Sequence, residues 1–356
     1  MFLDNTNFAS IDPQQMLSHI DALPEQLESA WARAQTLNLP AAYTRAEQVM
    51  ICGMGGSAIS GDLLAALAAP SCHLPIQVVR DYDLPPYAAG SHTLVIALSH
   101  SGTTEETLSA AQQAAERSTL LLAITTGGQL APLVERSGGV VWKYEYDSQP
   151  RAALGWLYGL LLGAAARLNL APDLAAGVEE AIAQMRRDRE IWTASSRATR
   201  NSAKRIAGQL MDRIPVIWAA GLLAPVARRW KTQLNENAKT SAYFEVLPEL
   251  NHNAVVGIIA PPELIDRHRI QVVQLVSPDY DHPRVALRHV VTEKLLREAG
   301  VIAEVIQARG RSRLAQQMNL IQYGDYISYY LAMAYGVDPT PIPPIAMLKQ
   351  KLADAS

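Results

Sequence analysis

The sequence predicts an α/β fold with parallel, doubly wound sheets, and three observations carry that expectation. Short apolar runs that do not alternate in polarity read as strands buried on both faces. Helix-sized segments separate these runs, the pattern of a parallel sheet with crossover helices. Two of the runs end in clusters of glycine, serine and threonine that open a helix, as strand-to-helix turns of such sheets do.

The strands expected in the first half are 48–52, 76–80, 93–98, 120–125 and 139–143. A second series follows at 215–219, 242–246, 270–276 and 301–307. Ahead of the first strand, Met16, Ile20, Leu23, Leu27 and Trp31 recur at helical spacing and predict one or two amphipathic helices that cover a sheet. The Gly/Ala-rich stretch 152–166 is too short to span a bilayer and reads as a buried packing helix, with further helices around 171–193 and 199–211. The chain therefore divides into N-terminal helices (1–47), a first α/β domain (48–150), a helical connection (151–205), a second α/β domain (206–335) and an extended proline-rich arm with a short helix (336–356). Two halves of similar architecture suggest duplication, although no residue-level repeat accompanies it.

With 356 residues, the chain can bury two cores of ordinary size. Apolar residues make up 49% and charged residues 18%, which excludes a disordered class. A net charge of -3 without a basic stripe argues against nucleic-acid binding. The two cysteines, Cys52 and Cys72, are too few for a disulfide framework and lack metal-ligand spacing, as expected in a reducing cytoplasm. Cys52 closes a strand and reads as a small hydrophobe. A basic leader followed by an apolar core is missing near Asp4 and Asp12, so a signal peptide and a membrane association are not expected.

The stretch from Leu94 to Thr107 carries the chemistry. Its apolar half is a buried strand, and Ser99, Ser101, Thr103 and Thr104 follow within six residues around Gly102. Ser101 or Thr103 can cap the next helix, with Glu105 and Glu106 in the first turn where the dipole favours acids. More hydroxyls stand there than a cap requires, and hydroxyls with backbone N–H groups at a helix N-terminus suit a phosphate dianion. The turn Gly53 to Ser57 is a second site of this kind. Its glycines miss the G-x-G-x-x-G spacing of a dinucleotide fingerprint, but they let backbone approach a ligand, and Ser57 can offer a hydroxyl and a helix-terminal N–H. Arg151, expected in the first turn of the buried helix, stands at the pole where the dipole disfavours cations. Two readings remain open for it: a solvated surface residue, or one held by an anion.

Taken together, Gly55-Gly56-Ser57, Ser99-His100-Ser101-Gly102-Thr103-Thr104, Pro150-Arg151, Asn235-Glu236-Asn237 and Glu249-Leu250-Asn251-His252-Asn253 resemble the bifunctional phosphoglucose/phosphomannose isomerases of the sugar isomerase (SIS) superfamily. The resemblance runs from about Val49 to the terminal lysines. It implies two SIS domains, each a five-stranded parallel sheet flanked by helices, in a homodimer with shared active sites, no cofactor or metal, and hexose 6-phosphate substrates. It also implies that Gly55, Gly56, Ser57, Ser99, Ser101, Thr103 and Thr104 bind the sugar phosphate. Arg151 would steady the enediolate, Glu236 would be the base, and His252 would come from the neighbouring subunit. A C-terminal lysine would pair with that histidine in ring opening; Lys349 is assigned to it, with Lys351 as the alternative. Thr340 is the candidate for tolerance of the mannose epimer.

The residue types suit that chemistry. One carboxylate suffices to move a proton between C1 and C2 of an aldose or ketose phosphate through a cis-enediol, and an arginine meets the developing charge without changing its own protonation. Ring opening needs a group that titrates near neutrality, as histidine does. His100, inside the hydroxyl loop, is the rival to His252. A non-catalytic sugar-phosphate sensor, or an SIS isomerase for another phosphosugar, is the alternative reading of the same residues.

Overall fold

The computed structural model describes residues 2–4, 6–260, 262–266 and 268–355. Three N-terminal helices, α1 (Phe8–Ile11), α2 (Met16–Asp21) and α3 (Leu23–Thr36), precede the first sheet. That sheet is built from β1 (Gln48–Cys52), α4 (Gly55–Ala68), β2 (Ile76–Val79), β3 (Thr93–Ser99), α5 (Glu105–Glu116), β4 (Leu120–Thr125), α6 (Leu130–Arg136) and β5 (Val140–Lys143). Helices α7 (Leu154–Arg167), α8 (Leu174–Trp192) and α9 (Ser202–Leu210) lead to β6 (Ile214–Ala220), α10 (Ala224–Glu236), β7 (Tyr243–Leu247), α11 (Ala254–Ile258) and α12 (Pro262–Asp266). The chain ends with β8 (Ile270–Val276), α13 (Pro283–Glu298), β9 (Ile302–Gln307), α14 (Arg313–Tyr335) and α15 (Pro343–Asp354). None of the described helices is long and apolar enough to cross a membrane.

The first sheet has the order β2-β1-β3-β4-β5 and the second β7-β6-β8-β9, with parallel pairing throughout. All nine expected strands are present, with ends shifted by a residue or two. The second sheet departs from the expected five strands: among the described residues it has four. After β9 the chain meets a helix signal instead of another apolar run, since the Ser312 hydroxyl accepts from the Ala315 N–H (3.2 Å) and caps α14. The second sheet thus repeats the order of the first four strands of the first. The likeness of the two halves is one of strand topology.

Helix α14 is buried on every side from Leu314 to Met333, which makes it a core helix and not a surface one. Its Gln317 donates to the Leu63 carbonyl of α4 and to the Leu222 carbonyl before α10, both at 3.1 Å, so it ties the two halves together. One apolar cluster runs without interruption from Ile51, Leu94 and Ile124 to Ile217 and Val273. The helix expected at 152–166 is α7, and its glycines explain its packing. Gly155, Gly159 and Gly163 recur every four residues, and a Cβ on each would stand 2.5, 2.6 and 2.2 Å from the Cβ atoms of Gln26, Ala30 and Ala34 on α3. The stripe lets two helix backbones approach closely, and α3 in turn buries Leu23 and Leu27 as expected while Trp31 is only half-buried.

That approach predicts the outcome of a substitution. Gly159→Leu must force α3 and α7 apart, at a cost of about 3 kcal/mol, which urea denaturation would read as a lower midpoint at unchanged slope.

Candidate active site

The open-sheet rule places ligands where strand order reverses, at the carboxyl ends of the strands. In the first sheet that point lies between β1 and β3, which are direct neighbours. The two turns singled out in the sequence follow these strands and therefore lie side by side. Helix α4 already begins at Gly55, whose φ of 48° is in the left-handed region. The Ser57 N–H is spent on the Met54 carbonyl at 3.0 Å, so it is not the free donor expected. Its hydroxyl accepts from the His100 N–H at 3.3 Å and joins the two turns.

The hydroxyl loop is held open by its own bonds. The Ser99 hydroxyl accepts from the Gly102 N–H at 3.0 Å and lies 3.1 Å from the Thr104 hydroxyl. Ser101 accepts from the N–H and hydroxyl of Thr103 at 3.3 and 3.0 Å. Gly102, at φ 67°, is pressed on the loop after β4, and a Cβ there would stand 2.0 Å from the Gly127 carbonyl oxygen. The helix cap is Thr104, not Ser101 or Thr103, and it caps without a side-chain bond. Ser101 and Thr103 are exposed, so their hydroxyls face outward instead of satisfying α5.

His100 is turned away from this mouth. Its ring nitrogens lie 2.7 Å from the Tyr144 hydroxyl and 3.1 Å from the Ser148 carbonyl, and burial pushes its pKa below the ordinary value, against the Ser148 carbonyl and Asp147. It braces the loop against the segment leading to Arg151. The Cys52 thiol is buried and pushed up to about 12, which leaves no reactive thiolate.

Arg151 is not solvated: its side chain is 2% exposed. It lies in a 3-10 turn (Pro150–Ala152) that precedes α7. Its Nε donates to Asn237 Oδ1 at 2.7 Å, its Nη1 stands 3.4 Å from Glu236 Oε2, and its Nη2 donates to the carbonyls of Pro339 (2.7 Å) and Thr340 (2.8 Å). Burial lowers its pKa while Glu236 opposes that shift, and an arginine stays charged regardless. A Cβ on Gly56 would stand 3.1 Å from the Arg151 Cα, so the glycine turn, the arginine and the carboxylate of Glu236 are neighbours. Thr340, whose carbonyl accepts from Arg151, is buried beside them with its hydroxyl unpartnered among the described residues.

Behind these groups lies a polar network on α10 and α14. Arg229 Nη2 donates to the Arg151 carbonyl at 3.1 Å and to Asp325 Oδ2 at 2.7 Å. Gln233 donates to Asp325 Oδ1 at 2.9 Å, and Asn237 to the Ser328 hydroxyl at 3.0 Å. Burial raises the pKa of Asp325, against the effect of Arg229 and Gln233. Sequence reading passed over these residues, yet a signal was there: Arg229, Gln233 and Asn237 form a polar row at every fourth position, and Asp325 is the one acid of α14.

Three of the expected site residues stand apart. His252 is exposed in a 3-10 turn (Glu249–His252), and Lys349 and Lys351 are exposed on α15, which has no buried residue. No hydrogen bond or ion pair among the described residues joins them to Arg151 or Glu236.

Fold and site together define a sugar-isomerase-fold α/β protein. Residues 199–352 match the model of the bacterial phospho-glucose isomerase C-terminal SIS domain. The chain is 40% identical over 342 residues to the bifunctional phosphoglucose/phosphomannose isomerase of Caldicellulosiruptor bescii, covering 95% of this chain and 99% of that one. It is 35% identical over 305 residues to the protein of the same name from Aquifex aeolicus, covering 85% and 90%. The solved tagatose-6-phosphate ketose/aldose isomerase of Escherichia coli shares the fold, with a TM-score of 0.72 at 16% identity over 92% of this chain and 95% of that one. The chain belongs to the bifunctional phosphoglucose/phosphomannose isomerase family.

The network predicts a stability effect. Asn237→Leu leaves the Arg151 Nε without its acceptor inside the protein and removes the bond from Asn237 to the Ser328 hydroxyl, which keeps only the Asp325 carbonyl. The fold should lose about 3 kcal/mol in urea denaturation.

Proposed function

We propose that the protein interconverts fructose 6-phosphate with glucose 6-phosphate and with mannose 6-phosphate by proton transfer through a cis-enediol. The observation that carries this reading is the contact between Arg151 and Glu236 beside the Gly56 turn. A cation and a base within one crevice, next to two turns rich in donors, suit a phosphorylated sugar whose C1 and C2 must be worked on by one carboxylate.

In this mechanism Ser57, Ser99, Ser101, Thr103 and Thr104, with the N–H groups of Gly55 and Gly56, grip the phosphate. Glu236 takes the proton from C2 of the aldose, or C1 of the ketose, and returns it to the other carbon. Arg151 faces the enediolate oxygens as charge develops. Ring opening precedes this, with His252 of the second subunit moving a proton between ring oxygen and anomeric hydroxyl and Lys349 beside it, or Lys351. Thr340, at the sugar end, is the group that tolerates either C2 epimer.

The finer architecture is part of the proposal: two SIS domains at 48–150 and 206–335, assembled as a homodimer. The exposure of His252 within one protomer supports the assembly. So does α15, where Ile345, Met347, Leu348 and Leu352 are all exposed, a face that a second copy would cover.

With chelator present and fructose 6-phosphate supplied, the wild-type protein is expected to form both aldose phosphates, each measured by its own coupled assay. Glu236→Gln should lower kcat by at least ~10²-fold while still binding sugar phosphate; an unaffected Glu236→Gln variant would turn the reading to a sensor. His252→Ala should lower kcat by about 10²-fold and His100→Ala by far less, and equal losses would defeat the assignment of His252.

A further inference from the structure

The turn after α10 holds a second cation that the mechanism above leaves unused. Lys239 has a φ of 56°, a left-handed conformation that disfavours side chains with a Cβ and persists where its surroundings impose it. Its ammonium donates to the Pro339 carbonyl at 3.0 Å and to the carbonyl of Glu236. The same Pro339 oxygen accepts from Arg151 Nη2 at 2.7 Å, and that nitrogen also reaches the Thr340 carbonyl at 2.8 Å. Two cations therefore close on adjacent carbonyls of the short strap between α14 and α15. One of them is anchored in the turn that carries Glu236.

We propose that Lys239 is a positioning residue of the isomerisation site: together with Arg151 it clamps the 337–342 strap to the Glu236 turn. The clamp fixes the backbone of Glu236, the orientation of the Arg151 guanidinium and the placement of Thr340 as one unit. This rests on the isomerase reading above. Lys239 shares no hydrogen bond with the turns after β1 and β3 that hold the phosphate in the mechanism above, so loosening the clamp disturbs proton transfer and leaves substrate capture largely intact.

The charged groups that face Lys239 are Arg151 on the 3-10 turn, Glu236 on α10 and Asp338 on the strap. Lys239 as a whole is exposed, yet the partial desolvation of its ammonium against the strap and the charge of Arg151 pull it down to about 8, with Asp338 and Glu236 opposing. The clamp is accordingly cationic at neutral pH and loses its charge as pH rises through that value. Neutral donors make weaker hydrogen bonds than charged ones, whereas arginine does not titrate in this range.

The test measures kcat, KM and the pH profile of kcat for wild type, Lys239→Met, Lys239→Gly and Lys239→Arg on fructose 6-phosphate. Lys239→Met is expected to lose at least fivefold in kcat with KM within twofold. Lys239→Gly relieves the backbone and should keep or raise the melting temperature, yet lose kcat to the same extent, which separates clamping from folding. Lys239→Arg should exceed Lys239→Met in kcat and carry the alkaline midpoint up by at least one pH unit. A smaller loss in the Met and Gly variants, a loss confined to KM, or an Arg variant that shares the wild-type midpoint would overturn the role. An inactive wild type removes the isomerase reading and this role with it, whereas an active wild type with indifferent variants removes only the role.

Discussion

A guanidinium taken out of water must find an acceptor for each of its forks, and the surroundings of Arg151 are organised by that requirement. Asn237, Glu236 and two strap carbonyls converge on it, drawn from α10 and from the segment after α14. At Gly56 a Cβ would press on the Arg151 backbone, 3.1 Å from its Cα, so the absence of a side chain there lets the two segments lie close. Arg229 in turn holds the Arg151 carbonyl and is itself neutralised by Asp325. A buried ion pair adds little to stability over an apolar replacement, but leaving one member unpaired is costly. The network therefore acts as a constraint on geometry: it accepts one arrangement of four chain segments and penalises others.

The two sheets divide the labour of the site. Both have the same order through four strands, but only the first carries the hydroxyl loop at its switch point. The second sends α10 toward the first sheet and presents Glu236 and Asn237 at its C-terminal end. Helix α14 takes the place where a fifth strand was expected, and it supplies Asp325 and Ser328 to the network. A strand at that position would present side chains to two faces of a sheet. A helix buried all round reaches α4, α8, α9 and α10 together, which is how a single element can anchor groups from both halves.

Much of this was legible in the sequence, and the limits have physical causes. Strands and the two donor-rich turns announce themselves locally, by apolar runs and by residue type, and their positions hold to within a residue or two. The cap at Thr104 was misjudged because Ser101 and Thr103 satisfy each other instead of the helix. Arg151 could not be decided from sequence because its acceptors lie more than eighty residues away. His100 looked like a rival acid because it stands inside the loop; only the Tyr144 hydroxyl and the Ser148 carbonyl, which occupy both ring nitrogens, reveal that it faces inward. The polar row of α10 was readable at four-residue spacing, but its meaning required Asp325 across the interface. The missing fifth strand is the same lesson in topology: periodicity finds elements one at a time, and an analogy between halves does not oblige the second half to complete the pattern.

The pairing of Arg151 with Glu236 also bears on why the proposed reaction suits a buried cation. Before proton transfer the guanidinium faces an ionised carboxylate. In the proposed step Glu236 becomes neutral as it accepts the proton, and negative charge moves to the enediolate oxygens. Arg151 exchanges one anionic partner for another, so the net charge beside it stays constant along the reaction. Little reorganisation of the surrounding dipoles is then needed, and preorganised electrostatics of this sort contribute most to rate where water is excluded. A cation free to follow the charge would surrender part of that advantage. The Asn237 and strap contacts that hold the guanidinium still are, on this argument, as necessary to the chemistry as the carboxylate itself.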